Sequence, residues 1–314
     1  MGSDEQHKAV LLEEVLVALN IKTNGNYIDA TFGRGGHARA ILSRLDSHGQ
    51  LLALDRDPQA ISAAAELSSD PRFHIEQAPF SGIAGIASKY GLLGKVDGIL
   101  FDLGVSSPQL DNAERGFSFQ HDGPLDMRMD RQSGQSAAQW LASADEKEIA
   151  NVIKTYGEER FAKRIARRIV QTREEQEIDT TAKLAAIVSQ AIPKYEPGKH
   201  PATRTFQAIR IFINNELDEL RQALDQVLAV LCQGGRLLFI SFHSLEDRMV
   251  KQCMRKWAKG DPYPPDMPVT DDALNPLLKI IGKLVRPTES EIKNNPRARS
   301  ATLRVAEYLG GHDG

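Results

Sequence analysis

Asn26-Tyr27-Ile28-Asp29-Ala30-Thr31-Phe32-Gly33-Arg34-Gly35-Gly36-His37 reads as a short apolar strand that ends in an acid and runs into three glycines within four residues. Glycine lets a backbone approach a ligand with no Cβ in the way, and Ala38 to Leu45 can start a helix whose first amides face the same space. The next strand, Leu51-Leu52-Ala53-Leu54-Asp55, ends in an acid about twenty residues past the glycines, where a carboxylate can accept hydrogen bonds from ribose hydroxyls. A tight turn alone would explain the glycines. It would not explain the second acid.

The identity of the cofactor follows from the loop chemistry. A dinucleotide fingerprint, G-x-G-x-x-G, opens directly into a helix; here the order is Gly33-x-Gly35-Gly36, which fits NAD poorly. Asp29 at the first strand end suits a ligand with a cationic amino-acid part, which points to S-adenosylmethionine.

Beyond Asp55 the pattern alternates. A helix over Pro58 to Leu67, a strand Arg72 to Glu76, a helix near Ile83 to Tyr90 and a strand Val96 to Leu103 predict βαβ units, a parallel sheet and ligands at the carboxyl ends of its strands. Phe80, just past the third strand, is either an adenine-slot wall or ordinary core. From Gly134 the strands stop, and helices are expected at Ser136 to Ala142, Glu146 to Lys154, Glu159 to Arg173 and Thr181 to Ala191. Alternation resumes with a helix from Phe206 to Leu231, a stop at Gly234-Gly235 and a strand Arg236 to Phe242. The division expected is 1–133 and 209–314 for one α/β domain, with 134–208 as a helical insertion that emerges after the fourth strand, where substrates bind. Lys279 to Val285 and Ala301 to Glu307 read as an edge hairpin.

Composition sets outer bounds. The 314 residues are 41% hydrophobic and 26% charged with a net charge of −3, so a large core is affordable and any basic surface must be local. Met1 to Gln6 lacks the basic start and apolar run of a signal peptide, and no apolar stretch reaches membrane-spanning length, so a cytoplasmic location is expected. Cys232 and Cys253 are too few for a disulfide framework and lack metal-ligand spacing.

Arg160, Lys163, Arg164, Arg167 and Arg168 fall at helical spacing opposite Phe161, Ile165 and Ile169, a basic stripe that serves either as a solvated face or as a phosphate-binding one. Lys199 to Arg204 and Pro296 to Ser300 add basic loops, and arginine forks suit phosphate oxygens. His243, Glu246 and Asp247 make half of a zinc signature, but Ser244 with Asp247 also reads as a helix cap, and no metal is expected.

The fourth strand leads into Asp102-Leu103-Gly104-Val105-Ser106-Ser107-Pro108-Gln109-Leu110-Asp111, then Arg115-Gly116-Phe117-Ser118-Phe119 and Gly123-Pro124-Leu125-Asp126-Met127-Arg128. Together with TFGRGGH, LDRDP, YGEERFAKRIA, HPATRTFQAIRI, ISFHSLEDR and NPRARSATLR, these words resemble the MraW/RsmH family of bacterial small-subunit rRNA cytosine-N4 methyltransferases from Val10 to Ala306. The resemblance implies a class I, Rossmann-like methyltransferase fold that uses S-adenosylmethionine to methylate the exocyclic amine of a decoding-centre cytosine in 16S rRNA, within the small ribosomal subunit. It places cofactor contacts on Gly35, Gly36, His37, Asp55, Phe80, Asp102 and Gln109; His37 and Gln109 come from the resemblance alone.

Cytosine N4 is a poor nucleophile because its lone pair is delocalised into the ring, so an enzyme must hold the base, accept an N4 hydrogen bond and align the nitrogen with the methyl group. Amino-methyltransferases of DNA carry a D/N/S-P-P-Y/F/W motif here; this chain has Ser106-Ser107-Pro108-Gln109, with Phe117 and Phe119 as candidate base-stacking rings. Asp102, Ser106, Asp126 and loop carbonyls are candidates to accept the amine proton, and Asp126 also reads as structural. Rival readings are methylation of another RNA or DNA amine, a noncatalytic RNA-binding protein, a NAD-linked oxidoreductase and a cytosine-C5 methyltransferase; the last needs a nucleophilic cysteine, and neither cysteine follows a strand end in a catalytic loop. The oligomeric state, including a homodimer, stays open.

Overall fold

The computed structural model describes residues 9–193, 198, 200–261 and 274–311. Lys199, from the first basic loop, and the lead-in Met1 to Lys8 lie outside them. The chain divides into two compact units, Met1–Gly104 with Asp218–Gly314, and Val105–Leu217.

The first unit is built on seven strands, β1 (Asn26–Asp29), β2 (Gln50–Asp55), β3 (Phe73–Gln77), β4 (Val96–Asp102), β5 (Leu231–Ser241), β6 (Leu278–Ile280) and β7 (Thr302–Tyr308), in the order β3-β2-β1-β4-β5-β7-β6. Pairing is parallel from β3 across to β5, while β7 runs antiparallel to both of its neighbours. Strand period explains why both faces are covered. Ile28, Leu52, Leu54, Ile99, Phe101, Leu237 and Phe239 pack with Ile83, Ala87, Leu220, Leu224 and Val250. The alternate residues Tyr27, Leu51, Ala53, Leu100, Leu238 and Ile240 pack with Leu11, Val15, Leu16, Ala38 and Ile41. Chain order reverses beside β1, which pairs with β2 on one side and β4 on the other; ligands of open α/β sheets bind at this switch point, outside the carboxyl ends of the strands.

The tail forms the antiparallel pair expected at a sheet edge, β6 with β7, although the segment between them includes the helix Glu289–Asn294 and β6 is only three residues long. β7 also pairs with β5, and Val285 makes an isolated bridge to Leu303. The long helix expected over Phe206 to Leu231 is three helices, Thr203–Ile213, Glu216–Leu224 and Val227–Val230, the first break falling where Asn215 takes a left-handed φ of 52°. Gly234-Gly235 is not a helix stop. It lies inside β5, where Val96 pairs with Leu231 but Gly98 pairs with Arg236, and Gly234 absorbs the irregularity with a φ of 80°.

The second unit holds the helices Ala137–Ser143, Glu146–Gly157, Ala162–Glu175, Thr181–Ala191 and Thr203–Ile213. Ser136, Asp145 and Thr180 cap the first, second and fourth by accepting a backbone N–H three residues on. Trp140, Ile149, Ile153, Ile165, Ile169, Leu184, Val188, Phe206 and Ile209 form its core. This unit is wider than 134–208 because the segment before it packs on the helices: Leu125 N–H donates to the Asp179 carbonyl at 2.8 Å, and Ala137 N–H to that of Asp126 at 2.8 Å. Among the described residues, no helix is long and apolar enough to cross a membrane.

Candidate active site

The loop after β1 is pinned to the strand ends on both sides. Ala30 N–H donates to the Leu100 carbonyl and Phe32 N–H to the Leu54 carbonyl, each at 2.9 Å. The Thr31 hydroxyl accepts from Asp102 N–H at 2.6 Å, while Thr31 N–H donates to Asp29 Oδ1 at 3.2 Å. Thr31 thus ties the ends of β1 and β4 together, a role the sequence did not single out although it stands inside the quoted loop. Gly35 turns back at φ 73° with its N–H on the Phe32 carbonyl at 2.7 Å, and a Cβ there would come within 2.6 Å of the Phe32 ring. The glycine is required by both conformation and space. A Cβ on Gly36 would come within 2.9 Å of the Ala9 Cβ.

Asp55, at the end of β2, accepts Gly33 N–H through Oδ2 and Asp57 N–H through Oδ1, both at 2.8 Å. It therefore sets the glycine loop and the entry to the following helix, and each oxygen keeps a lone pair for a further donor. Burial, the largest influence, pushes its carboxyl up to about 6 against those backbone bonds. Burial likewise raises Asp29 to about 6, although nearby His37 favours its ionised form. For His37, burial favours the neutral ring, but Asp102 and Asp29 hold the imidazole above its ordinary value.

Around this loop Asp29 Oδ2, both ring nitrogens of His37 and Asp102 Oδ1 are buried with no hydrogen-bond partner. Unsatisfied buried polar atoms are costly and rarely gather without a ligand. A set of three carboxylates and one imidazole at the β1, β2 and β4 ends fits a ligand with a cationic amino-acid end and hydroxyls, as S-adenosylmethionine has. Phe80 stands in a short 3₁₀ turn after β3, half-buried, with its ring edge-on to Phe101 at 5.6 Å.

In the second unit, Ser106 precedes the helix Ser107–Asp111, and its N–H donates to the buried Gln109 Oε1 at 2.9 Å. Gln109 thus holds the first turn of that helix. Asp126 grips Arg128, with Oδ1 accepting from Nε at 2.8 Å and Oδ2 from Nη2 at 2.9 Å, and its Oδ2 also lies 3.3 Å from Arg131 Nε. Burial works against its charge, but the guanidinium of Arg128 and the Arg128 N–H keep the carboxyl below the usual range. The surrounding segment is fixed by Asn214, which donates to the Met127 carbonyl and accepts from Met129 N–H, both at 2.8 Å, and by the buried Arg115, which donates to the Met129 carbonyl at 2.8 Å. Neither Arg115 nor Asn214 carries a signal in sequence beyond its lone polarity. Of the two candidate stacking rings, Phe117 is only 6% exposed and lies 5.6 Å from the Arg115 guanidinium, whereas Phe119 remains half-exposed.

The helix Ala162–Glu175 buries Ile165 and Ile169 and exposes Lys163, Arg164, Arg167 and Arg168. Arg160 and Phe161 fall just before its first turn. Arg167 has only a loose approach of 3.7 Å to Glu146, and Arg168 donates to Gln190 at 3.2 Å. In the first unit, the cap of the helix Ser244–Lys259 is His243, whose Nδ1 accepts from Glu246 N–H at 3.4 Å, and not Ser244. Asp247 is held by a fork from Arg304 at 2.7 and 3.0 Å.

Comparison with known proteins gives distant structural likenesses and one match over nearly the whole sequence. An rRNA methylase from Streptococcus thermophilus has a similar structure, with a TM-score of 0.43 at 11% identity over 97% of this chain and 99% of that one. A SAM-dependent O-methyltransferase from Thermotoga maritima gives 0.40 at 11% over 99% and 70%, and the N-methyltransferase NodS of Bradyrhizobium japonicum with S-adenosylhomocysteine gives 0.40 at 8% over 95% and 85%. These likenesses are distant. The sequence itself matches the MraW methylase family over residues 4–309, nearly its whole length, and the strand order agrees with a Rossmann-like methyltransferase sheet carrying a helical insertion. The chain therefore belongs to the MraW methylase family, the S-adenosylmethionine-dependent methyltransferases of cytosine N4 in 16S rRNA.

Proposed function

We propose that the β1, β2 and β4 strand ends divide the work of this methyl transfer among named residues. Asp55 receives the ribose hydroxyls through its remaining lone pairs, Gly35 and Gly36 give the backbone close approach, and Phe80 borders the adenine. His37 and Asp29 face the amino-acid end. When bound, S-adenosylmethionine supplies an electrophilic methyl; this chain supplies orientation and charge. Asp102 accepts a hydrogen bond from cytosine N4 and helps draw off its proton as the nitrogen forms its new bond, with Ser106 and the loop carbonyls as further acceptors. Gln109 acts by holding the Ser106 turn. Asp126 positions the Arg128 segment, since its charge is already committed.

The observation that carries this reading is the group of unpaired buried atoms, Asp29 Oδ2, His37 Nδ1 and Nε2, and Asp102 Oδ1, in a family whose cofactor offers complementary donors. The exposed basic stripe of the second unit supports a phosphate-binding role toward a cytosine of the decoding centre, in the cytoplasm and within the small ribosomal subunit; no homodimer is invoked. The test is nucleoside mass spectrometry of 16S rRNA after reaction with the wild-type protein and with Asp102→Asn. The wild type should yield N4-methylcytidine, and the variant should lower turnover more than RNA affinity. Full activity of Asp102→Asn would remove Asp102 from the chemistry.

A further inference from the structure

Sequence-specific and sequence-tolerant recognition of unpaired RNA both rely on aromatic or imidazole faces on which a base can stack, set beside cations that follow the backbone. The second unit holds one exposed ring in such a setting. The imidazole of His200 lies against Phe119 with centroids 4.4 Å apart and planes 30° from parallel. Phe119 is in turn packed against the buried Phe206, edge to face at 4.8 Å. His200 Nδ1 accepts Ala202 N–H at 3.2 Å, so the ring is oriented by a backbone bond as well as by stacking, while the residue remains exposed. An exposed ring held in place twice loses little freedom when a partner arrives.

Its surroundings carry the matching charge. The helix that begins at Thr203, three residues past His200, has its first turn against the end of the helix Glu146–Gly157: a Cβ on Gly157 would come within 2.6 Å of the Arg204 carbonyl, and Gln207 Nε2 donates to the Tyr156 carbonyl at 3.1 Å. Residues 158–161 lead from that junction into the exposed Lys163, Arg164, Arg167 and Arg168. The chain segments that carry the ring pair and the basic stripe thus both adjoin one junction of the same unit.

We propose that His200, backed by Phe119, is the stacking platform for one unpaired base of the RNA substrate, while the stripe holds the neighbouring phosphates. The proposal rests on the reading of this protein as an RNA methyltransferase. Such a base contact is separable from phosphate contacts because it leaves the salt dependence alone.

The experiment compares wild type, His200→Ala and His200→Tyr. It measures binding of a short single-stranded RNA carrying the target cytosine at several salt concentrations, KM and kcat on small subunits, and S-adenosylmethionine affinity by calorimetry. His200→Ala should weaken RNA binding and raise KM on the order of tenfold, the effect of one lost base stack, with the salt slope and cofactor affinity unchanged. His200→Tyr should restore most of the loss. Equal RNA affinity in His200→Ala, or failure of a folded His200→Tyr to recover binding, overturns the platform alone. A wild-type protein that neither binds nor methylates RNA overturns the functional reading, and the platform with it.

Discussion

His37 Nε2 lies 3.6 Å from Asp102 Oδ2, beyond hydrogen-bond length but close enough for strong electrostatic coupling between two side chains that are 5% and 25% exposed. Asp102 Oδ1 and both His37 nitrogens remain buried without partners, as does Oδ2 of nearby Asp29. An imidazole with two unused nitrogens and carboxylates with unused oxygens make an anionic cluster with unmet hydrogen-bonding capacity, which favours a ligand that is cationic and rich in donors.

The pH dependence follows from Asp29 and Asp55, both raised to about 6 chiefly by burial. A raised folded-state value means that the folded protein keeps protons that the unfolded chain has already lost between about pH 4 and 6. The stability from these two groups is present below about pH 4 and lost as the pH rises to about 6. Cofactor binding runs the other way, since a cation and ribose hydroxyls favour the ionised acids. Calorimetry should show S-adenosylmethionine affinity rising from pH 5 to pH 7 with net proton release, and Asp29→Asn should raise the melting temperature of the ligand-free protein at pH 7. A flat affinity profile would separate these carboxylates from the ligand.

Asp55 performs two tasks, and the substitution must respect them. Asp55→Ala would free the N–H groups of Gly33 and Asp57 and disturb the loop itself. Asp55→Asn keeps the shape and one of the two backbone bonds, although its NH2 must face the other N–H, and it removes the charge; it should disturb the loop less than Ala and weaken S-adenosylmethionine binding by about 1–3 kcal/mol, the range for a charge-assisted hydrogen bond. Unchanged calorimetric affinity in a folded Asp55→Asn protein would exclude the ribose role.

Strand periodicity, the glycine loop and the two strand-end acids were readable because local rules govern them: period 2, glycine turns and carboxylates at carboxyl ends. β1 to β4 fall where the apolar runs predict. The break at Asn215 and the pairing of β7 with β5 were not readable, since a left-handed residue inside a helical pattern and the order of strands in a sheet depend on packing far along the chain. The site divides in the same way. Asp29 and Asp55 announce themselves by position, whereas the tie made by Thr31 and the clamps of Arg115 and Asn214 depend on backbone partners brought together only by folding. Phe117 and Phe119 are indistinguishable as letters two residues apart; burial alone separates them.

Asp102 and Asp126 should respond differently to the same chemical change. Asp126→Asn loses its fork to Arg128 and approach to Arg131 and should destabilise the folded protein by about 1–3 kcal/mol, the scale for hydrogen bonds to charged groups. Its kcat should fall little once the protein is folded. Denaturant melts beside turnover numbers will test this; an Asp126→Asn protein of normal stability with kcat lowered a hundredfold would make Asp126 part of the chemistry.

Removing Arg164, Arg167 and Arg168 together addresses the stripe. If each neutralises one phosphate of a single strand, the slope of log affinity against log salt should flatten by about 2, that is three contacts at roughly 0.7 each. Cofactor affinity should stay the same, because the three side chains are exposed and lie outside the β1 to β4 loop region. An unchanged slope would leave the stripe as a solvated face.

The position of the transferred methyl can be settled through the cysteines. Attack on cytosine C6, required for C5 methylation, needs a thiolate at the base. Burial first, then the charge of Asp97, raises the Cys232 thiol, whose Sγ lies 3.7 Å from Asp97 Oδ1. Burial also pushes Cys253, within the helix Ser244–Lys259, up to about 11. Both are protonated at neutral pH and weak as nucleophiles. A protein carrying Cys232→Ser and Cys253→Ala should therefore retain methyl transfer, with KM and kcat near those of the wild type. Mass spectrometry of the digested RNA should still place the methyl on N4. Loss of activity in a double variant that melts normally, or a C5-methylcytosine product from the wild type, would overturn direct transfer to the amine and return the search to a covalent route.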